Sequence, residues 1–530
     1  MKKRLSFVAA LAVAGLVLTG CGSGSDSPSP GEGDTDPIVV ATQKPTSLIP
    51  GNSRGFFALD VAETLFTGLV KYDDKTGEPV GVVAKEVTST DQKTWNITLN
   101  EGWKFHNGEP VDAESFARAW NAAADPKNAW LGSATMSLIE GYAAFAPKTG
   151  EATATSLSGI VVKSPTELSV TLNNPNSQFP YMLGQPAFYP LPEAALKDLA
   201  SFGTMPIGNG PYKMVEPWTG GDEIRTVRFD DYGGEKAKNA GVTFRVYSGY
   251  DISFRDFQAG EVDITSVLST DREAAKAKYP KQYFRADVQT SMAYLSVPTW
   301  APGYDDPRIR KALSMAIDRQ QIIDTIFKDD AYKPMTDIGV PAAAGYRTDA
   351  CDYCKFDPKE AKRLWDEAGG LPELNLTVVS GAGRDAYSEA IINMWEKNLG
   401  AKVSMDFIPS ENTHASLFGK DVKNPASLAR ASDYPSPYSV LGTSFLTGGP
   451  SNYMFYSNSK YDSLIKDALA AGSLDEAQKL FDQAKDIVIE EMPIIPLWTS
   501  GSNYVVSERV ATTYKLATFN KSPYSRIEIK

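Results

Sequence analysis

The chain has 530 residues, 42% of them hydrophobic and 22% charged, with a formal net charge of −12. That is an ordinary globular composition and enough chain for two or three compact units. So acidic a body excludes a general attraction for nucleic acid or for anionic lipid headgroups. Lys2, Lys3 and Arg4 form a positive leader, and an apolar run from Leu5 to Leu18 follows it. The run is too short for a stable span, so residues 1–20 read as an export signal to be set aside before fold reasoning. No other apolar run is long enough to cross a bilayer.

The run ends in Leu18-Thr19-Gly20-Cys21, which resembles a bacterial lipobox, where the cysteine thiol receives a diacylglyceryl group. Residues 21–36 then form a Gly/Ser/Pro-rich stretch without apolar side chains to bury, which reads as a flexible tether. At about 5–6 Å times the square root of its length, it holds the folded body roughly 20 Å from the lipid.

Strands and helices alternate along the body. Asp112 is an N-cap before a helical stripe of Phe116, Ala119, Trp120 and Ala123. Trp95 to Leu99, Val242 to Val246 and Leu374 to Val378 alternate apolar and polar side chains, as half-buried strands do. Asp306-Pro307 starts a helix carrying Ile309, Leu313, Ala316 and Ile317. Asp357, Pro358 and Glu360 read as cap, first-turn proline and return arm of a capping box, before the stripe Ala361, Leu364, Trp365, Ala368 and a stop at Gly369. Ser473 and Glu476 announce a last helix with Ala477, Leu480, Phe481, Ala484, Ile487 and Val488 inward. These stripes are core, and the alternation predicts an α/β fold.

With Cys21 assigned to lipid, Cys351 and Cys354 remain, spaced Cys-x-x-Cys. In an exported protein that spacing reads as a small structural disulfide. A thioredoxin-like pair wants a helix start after a strand, and a zinc site wants two more ligands. The pair lies in a loop before a separate cap, and the two histidines, His106 and His414, are far apart. No nucleophile elbow, P-loop, dinucleotide fingerprint or His-Glu-x-x-His occurs. Gly208-Asn209-Gly210-Pro211 is not a phosphate loop, since Pro211 removes a backbone donor. No cofactor, no metal and no catalytic residue is expected.

Several segments resemble the family-5 extracellular solute-binding proteins, the oligopeptide, dipeptide and nickel binders. These are Gly108 to Phe116 (GEPVDAESF), Ile207 to Lys213 (IGNGPYK), Asp306 to Asp318 (DPRIRKALSMAID), Phe356 to Gly369, and Met492 to Leu497 (MPIIPL). They recur in family order across nearly the whole mature chain. The resemblance implies a two-lobed clamshell of the periplasmic-binding-protein type II class, with an extra domain inserted in the first lobe. It maps lobe 1 to 37–70, 191–292 and 499–530, the inserted domain to 71–190, and lobe 2 to 293–498. Crossing strands are expected near 291–298 and 497–502, with ligand held between the lobes.

In that family an aspartate within a segment resembling W-x-A-D-Y holds the ligand's α-ammonium. Here the segment is Ala429-Arg430-Ala431-Ser432-Asp433-Tyr434-Pro435, so the resemblance gives Asp433 that role, with Tyr434 beside it. The alternative for Asp433 is a turn residue ahead of Pro435. Arg430 stands where the family often has Trp; it either reaches a ligand carboxylate or lies at the surface. The loop Arg54-Gly55-Phe56-Phe57 corresponds to backbone that pairs with the ligand as an added strand, although core packing accounts equally for either ring. Trp130 falls where relatives turn an aromatic toward the cleft.

The expected role is therefore the lipid-anchored, extracytoplasmic binding component of an ABC importer, a monomer that captures short peptides and docks on a permease. The same transport role for an oligosaccharide, metal complex or haem is the nearest alternative. A hydrolase lipoprotein and a sensor that has lost transport are the others.

Overall fold

The computed structural model describes residues 36–268, 270–285, 289–380, 383–511, 519 and 523–530, with the backbone alone at 411. Cys21 and the tether up to residue 35 lie outside the described residues. Three sheets organise the chain. Ile38–Thr42 lies inside a seven-stranded sheet, parallel to Val242–Val246 on one side and to Ile264–Ser266 on the other. Asn503–Val506 and Tyr283–Arg285 complete one edge of that sheet, and Glu223–Arg228 and Tyr212–Met214 the other.

The six-stranded sheet is built on Ser291–Ser296, flanked antiparallel by Ile494–Thr499 and Ala426–Ala431. Its far side, Leu374–Val379 and Val403–Ile408, is parallel, and helices cover both faces. Alternate side chains of Ser291–Ser296 enter separate cores: Met292 and Tyr294 on one face, Leu295 with Val297 on the other. The four-stranded sheet, Ala84–Thr88, Thr94–Leu99, Glu167–Thr171 and Ile160–Ser164, is antiparallel and interrupts the first lobe.

The chain passes from the first large sheet to the second between Arg285 and Ser291, and returns between Thr499 and Asn503. The stretch 291–298, expected as a crossing, is instead mostly a central strand of lobe 2. Its apolar, extended character is that of a strand covered on both faces, which local sequence does not distinguish from a hinge. Pro496 sits inside the neighbouring central strand, where a proline forfeits a ladder donor. The register shifts between Ala293 and Tyr294, opposite that proline, so the missing N–H falls at a bulge.

The predicted caps form. Asp306 Oδ1 accepts from Arg308 N at 2.8 Å, and Asp357 Oδ1 from Glu360 N at 3.0 Å. Asp112 and Ser115 make a reciprocal capping box. Glu360 is not a return arm: its carboxylate pairs with Arg363 one turn on, which competes with a neutral backbone donor and wins on charge.

Two arginines explain the Asp306 to Asp318 segment and the residue after it. Arg310, 4% exposed, donates to the carbonyls of Tyr304 (2.7 Å), Asp305 (3.0 Å) and Met492 (3.2 Å), and from Nε to Glu491 (2.8 Å). It thereby closes the C-terminus of the helix Leu474–Glu491. Arg319, 3% exposed, donates to the carbonyls of Ser314, Ile317, Cys354 and Pro496 at 2.7–3.2 Å. Cys351 and Cys354 are joined by a disulfide on the turn that supplies one of these carbonyls.

His106 ties the inserted domain to lobe 1. Its Nδ1 accepts from Gly208 N at 3.1 Å and its Nε2 lies 3.2 Å from Gly210 O, so the neutral ring donates from Nε2. A Cβ on Gly208 would come within 1.9 Å of Leu65 O, so no other residue fits this approach. Burial pulls the imidazole down to about 4, below its ordinary 6.5, and Lys213 adds to the depression. A histidine depressed in the folded state supports the fold fully above about pH 6.5, and that support drains as pH falls toward 4. The expected result is that His106→Gln removes up to about 3 kcal/mol of acid sensitivity from that window. Unfolding free energies of the two proteins measured between pH 7 and pH 4 would converge; parallel curves would refute it.

Candidate functional site

The loop after the strand Ala426–Ala431 is fastened at each backbone step. Ser432 N donates to Thr290 O at 2.8 Å, beside the passage between the sheets. Asp433 N donates to Ser439 Oγ at 2.9 Å, and Ser432 Oγ to Tyr434 O at 2.8 Å. With the backbone held this way, the Asp433 carboxylate is not spent on a turn. Among the described residues it accepts no hydrogen bond, its side chain is 61% exposed, and the nearest cation is Arg430 at 3.8 Å. An Asx turn ahead of Pro435 is therefore not formed.

The same loop reaches the inserted domain. Ser436 Oγ donates to Gln178 Oε1 at 2.8 Å in a buried contact, and Pro435 packs on Gly77, where an added Cβ would lie 3.1 Å from the ring. Next to it, Ser177 N donates to Leu469 O at 2.7 Å. Tyr434 is 4% exposed and belongs to the lobe 1 core. Burial holds its phenol well above the ordinary range, as it does for Tyr72, and the Asp433 charge adds to both shifts. Tyr434 thus anchors the loop through a ring packed into the core that lobe 1 shares with the inserted domain.

Facing this loop from lobe 1 is the segment before the helix Phe56–Leu65. Gly55 caps that helix at φ 82° and ψ 160°, a conformation essentially restricted to glycine. Phe56 is 46% exposed and meets Phe57 edge-on at 5.6 Å; Phe57 is half-buried against Tyr250. Trp130 lies beneath this segment and does not reach its surface. It is 6% exposed, and a Cβ on Gly51 would come within 2.8 Å of its ring. Gly132 N donates to Gly51 O and Leu131 N to Asn52 Oδ1, at 3.0 and 3.1 Å. Trp130 thus supports the lining loop from below, a placement that follows from 130–132 being docked by its backbone.

Arginines act electrostatically on two tyrosines of lobe 2. Tyr453 of lobe 2 feels positive charge from both Arg430 and Arg54, and Arg54 belongs to lobe 1. Burial pushes the Tyr294 phenol up to about 12, while Arg430 and Arg384 pull it back. Arg54 opens the lining loop named from the sequence, whereas nothing in the sequence marks Arg384 or Tyr453. Among the described residues, no three or more His, Cys, Asp or Glu side chains are grouped to hold a metal ion, and no helix is long and apolar enough to cross a membrane.

The family model for bacterial extracellular solute-binding proteins, family 5 (middle), matches residues 78–463, well over half the chain. The chain belongs to the family-5 extracellular solute-binding proteins. Within the family it is 27% identical to the oligopeptide-binding protein OppA of Bacillus subtilis, with 96% of each chain covered. It is also 27% identical to the periplasmic murein peptide-binding protein MppA of Escherichia coli, covering 86% of each. Among solved structures, an unliganded open form of the murein tripeptide binding protein MppA superimposes with a TM-score of 0.80 at 23% identity, covering 94% of this chain and 99% of that one. OppA of Haemophilus influenzae in complex with RPPGFSPFR gives 0.73 at 20% identity, covering 93% and 99%. The fold is thus the two-lobed α/β type II clamshell with an inserted domain.

Proposed function

We propose that this family-5 protein is the extracytoplasmic binding component of an ABC importer, taking short peptides between its lobes and handing them to a permease. The observation that carries the reading is Asp433: a carboxylate on a loop whose backbone is held at Ser432 and Asp433, 61% exposed and taken by no internal hydrogen bond among the described residues. A carboxylate so held is suited to a peptide's α-ammonium, which it would bind by a charge-assisted hydrogen bond. The names of the family relatives, oligopeptide- and murein peptide-binding proteins, point to the same ligand class. Exposed Phe56 and the glycine-only backbone at Gly55 offer the ligand a wall and an approachable main chain on the lobe 1 side.

Nothing in this role requires turnover, and the ligand would leave unchanged. Lipid on Cys21, with residues 22–36 as tether, would keep the protein at the outer face of the cell membrane beside its permease. The reading is tested by denaturing the purified protein and analysing released small molecules by mass spectrometry. A ladder of mixed short peptides is expected. A single non-peptide species would sink the peptide assignment and leave the binding-protein class standing.

A further inference from the structure

The two lobes also meet away from the Asp433 loop, and there the contact is made by buried charge. A single turn of π-helix, Ile323–Phe327, ends in Lys328 at φ 50°, where the chain turns back through the left-handed region. Phe327 stacks on Tyr332 at 4.1 Å and meets Trp498 edge-on at 5.0 Å, which ties the turn to the lobe 2 core. Its carbonyls and acids face lobe 1. Arg272 opens the short lobe 1 helix Arg272–Lys278, with its side chain 5% exposed. Arg272 Nη2 donates to the carbonyls of Phe327, at 3.5 Å, and of Lys328. Its Nη1 lies 2.5 Å from Asp329 Oδ2, a contact of charge without an aligned hydrogen bond. The Asp329 side chain is itself 2% exposed. One residue on, Arg285 Nη1 of lobe 1 donates to Asp330 Oδ1 at 2.6 Å. Both crossings between the sheets join this cluster. Asn503, on the return, donates from Nδ2 to Asp329 Oδ2 at 3.2 Å and accepts from Tyr283 Oη at 2.8 Å. Gln289, on the outward crossing, donates from Nε2 to Ala331 O at 2.6 Å and accepts from Thr499 Oγ1.

We infer that the turn from Phe327 to Ala331 is a bolted pivot, held by lobe 1 arginines against both crossings so that the lobes swing along one path. Two short crossings by themselves absorb backbone rotation in more than one direction. An apolar contact beside them could slide at little cost. A buried ion pair cannot, because parting it by a few ångströms leaves each charge desolvated and unmatched. Such a pair lasts through a swing only where separations stay nearly constant. The cluster sits at such a place, since Asp329 and Ala331 are bonded to residues of both crossings. The bond from Ser432 to Thr290 gives the axis one fixed point, and this turn gives it the other. The inference holds whatever ligand the protein takes.

Distances between two nitroxide labels, measured by pulsed electron resonance, test this on the ligand-free full chain carrying Cys21→Ser, whose other cysteines are joined in the disulfide. The labels go on Lys236→Cys of lobe 1 and Lys397→Cys of lobe 2, both exposed positions. A single narrow distribution is expected. In Arg272→Gln combined with Asp329→Asn, which removes both charges and strands neither, its width should at least about double, as arrangements off the single path become populated. Arg272→Lys keeps the charge but loses the planar fork, and should broaden the distribution by a part of that. Asp337→Ala cuts a buried pair lying wholly within lobe 2 and should leave the width as it was. An unchanged width in the folded double variant overturns the inference; if that variant does not fold, an unchanged width in Arg272→Lys does. So does a broad distribution in the otherwise unaltered chain, or equal broadening in Asp337→Ala.

Discussion

Asp433→Ala is expected to weaken binding of short peptides by at least about a hundredfold while leaving the ligand-free protein folded. Removing one partner of a desolvated, hydrogen-bonded charge pair costs roughly 2–5 kcal/mol, because the other charge stays buried and unmatched. The fold should not notice. The Asp433 backbone is held by Ser439 Oγ and its neighbour Ser432 by Thr290 O, neither of which involves the carboxylate. Asp433→Asn keeps the shape and an acceptor but not the charge, and should recover only a small part of the loss. An N-acetylated peptide supplies the complementary change. It should bind the unaltered protein poorly and lose nothing further in Asp433→Ala, since the interaction has already been removed from the ligand's side. Wild-type affinity in Asp433→Ala, or additive losses in that cycle, would remove Asp433 from the site.

The second large effect concerns stability. Asp337 is fully buried in lobe 2 and accepts from Lys485 Nζ at 2.8 Å, from Arg347 Nε, Nη2 and N at 2.9–3.1 Å, and from Ile338 N at 2.9 Å. Lys485 is itself only 2% exposed; its other charged neighbour, Asp482 at 3.0 Å, is one-third exposed. Cutting Asp337 back to alanine leaves an ammonium in the core with half of its charge partners gone. Breaking a buried pair from one side costs about 3–5 kcal/mol. Lobe 2 should therefore unfold at visibly lower denaturant concentration in Asp337→Ala, and Lys485→Met should soften the defect by removing the stranded charge. A loss below about 1 kcal/mol would mean that water or a rearranged Asp482 takes over, and that the pair is not a keystone of this lobe.

Helices of this protein were legible because their signals are local. Asp306-Pro307, Asp357-Pro358 and Asp112 each place a cap where the helix starts, and the stripes behind them are buried as their spacing predicts. Signals that depend on distant chain were not. Arg310 sits inside the most recognisable segment and Arg319 directly after it, yet their partners are carbonyls up to 182 residues away, which no spacing within the segment announces. Tyr434 and Trp130 are buried, a placement not legible beforehand because an aromatic side chain reads alike whether it faces a ligand or a core. Asp433 came through a motif. The unbonded Nε of its neighbour Arg430 has no counterpart in the sequence.

Ser432 is bonded directly to Thr290, where the chain steps from one sheet to the other, and its loop is pinned to the inserted domain through Gln178 and Gly77. Asp433 consequently lies almost on the axle about which the lobes swing. A point near an axle travels through a short arc, while the outer lips of the jaws sweep a long one. On the proposed reading of Asp433, the socket for the amino end would be built before any swing begins, and cargo of different lengths would share one starting register. Length would be gauged at the opposite end, where the moving lips meet whatever protrudes.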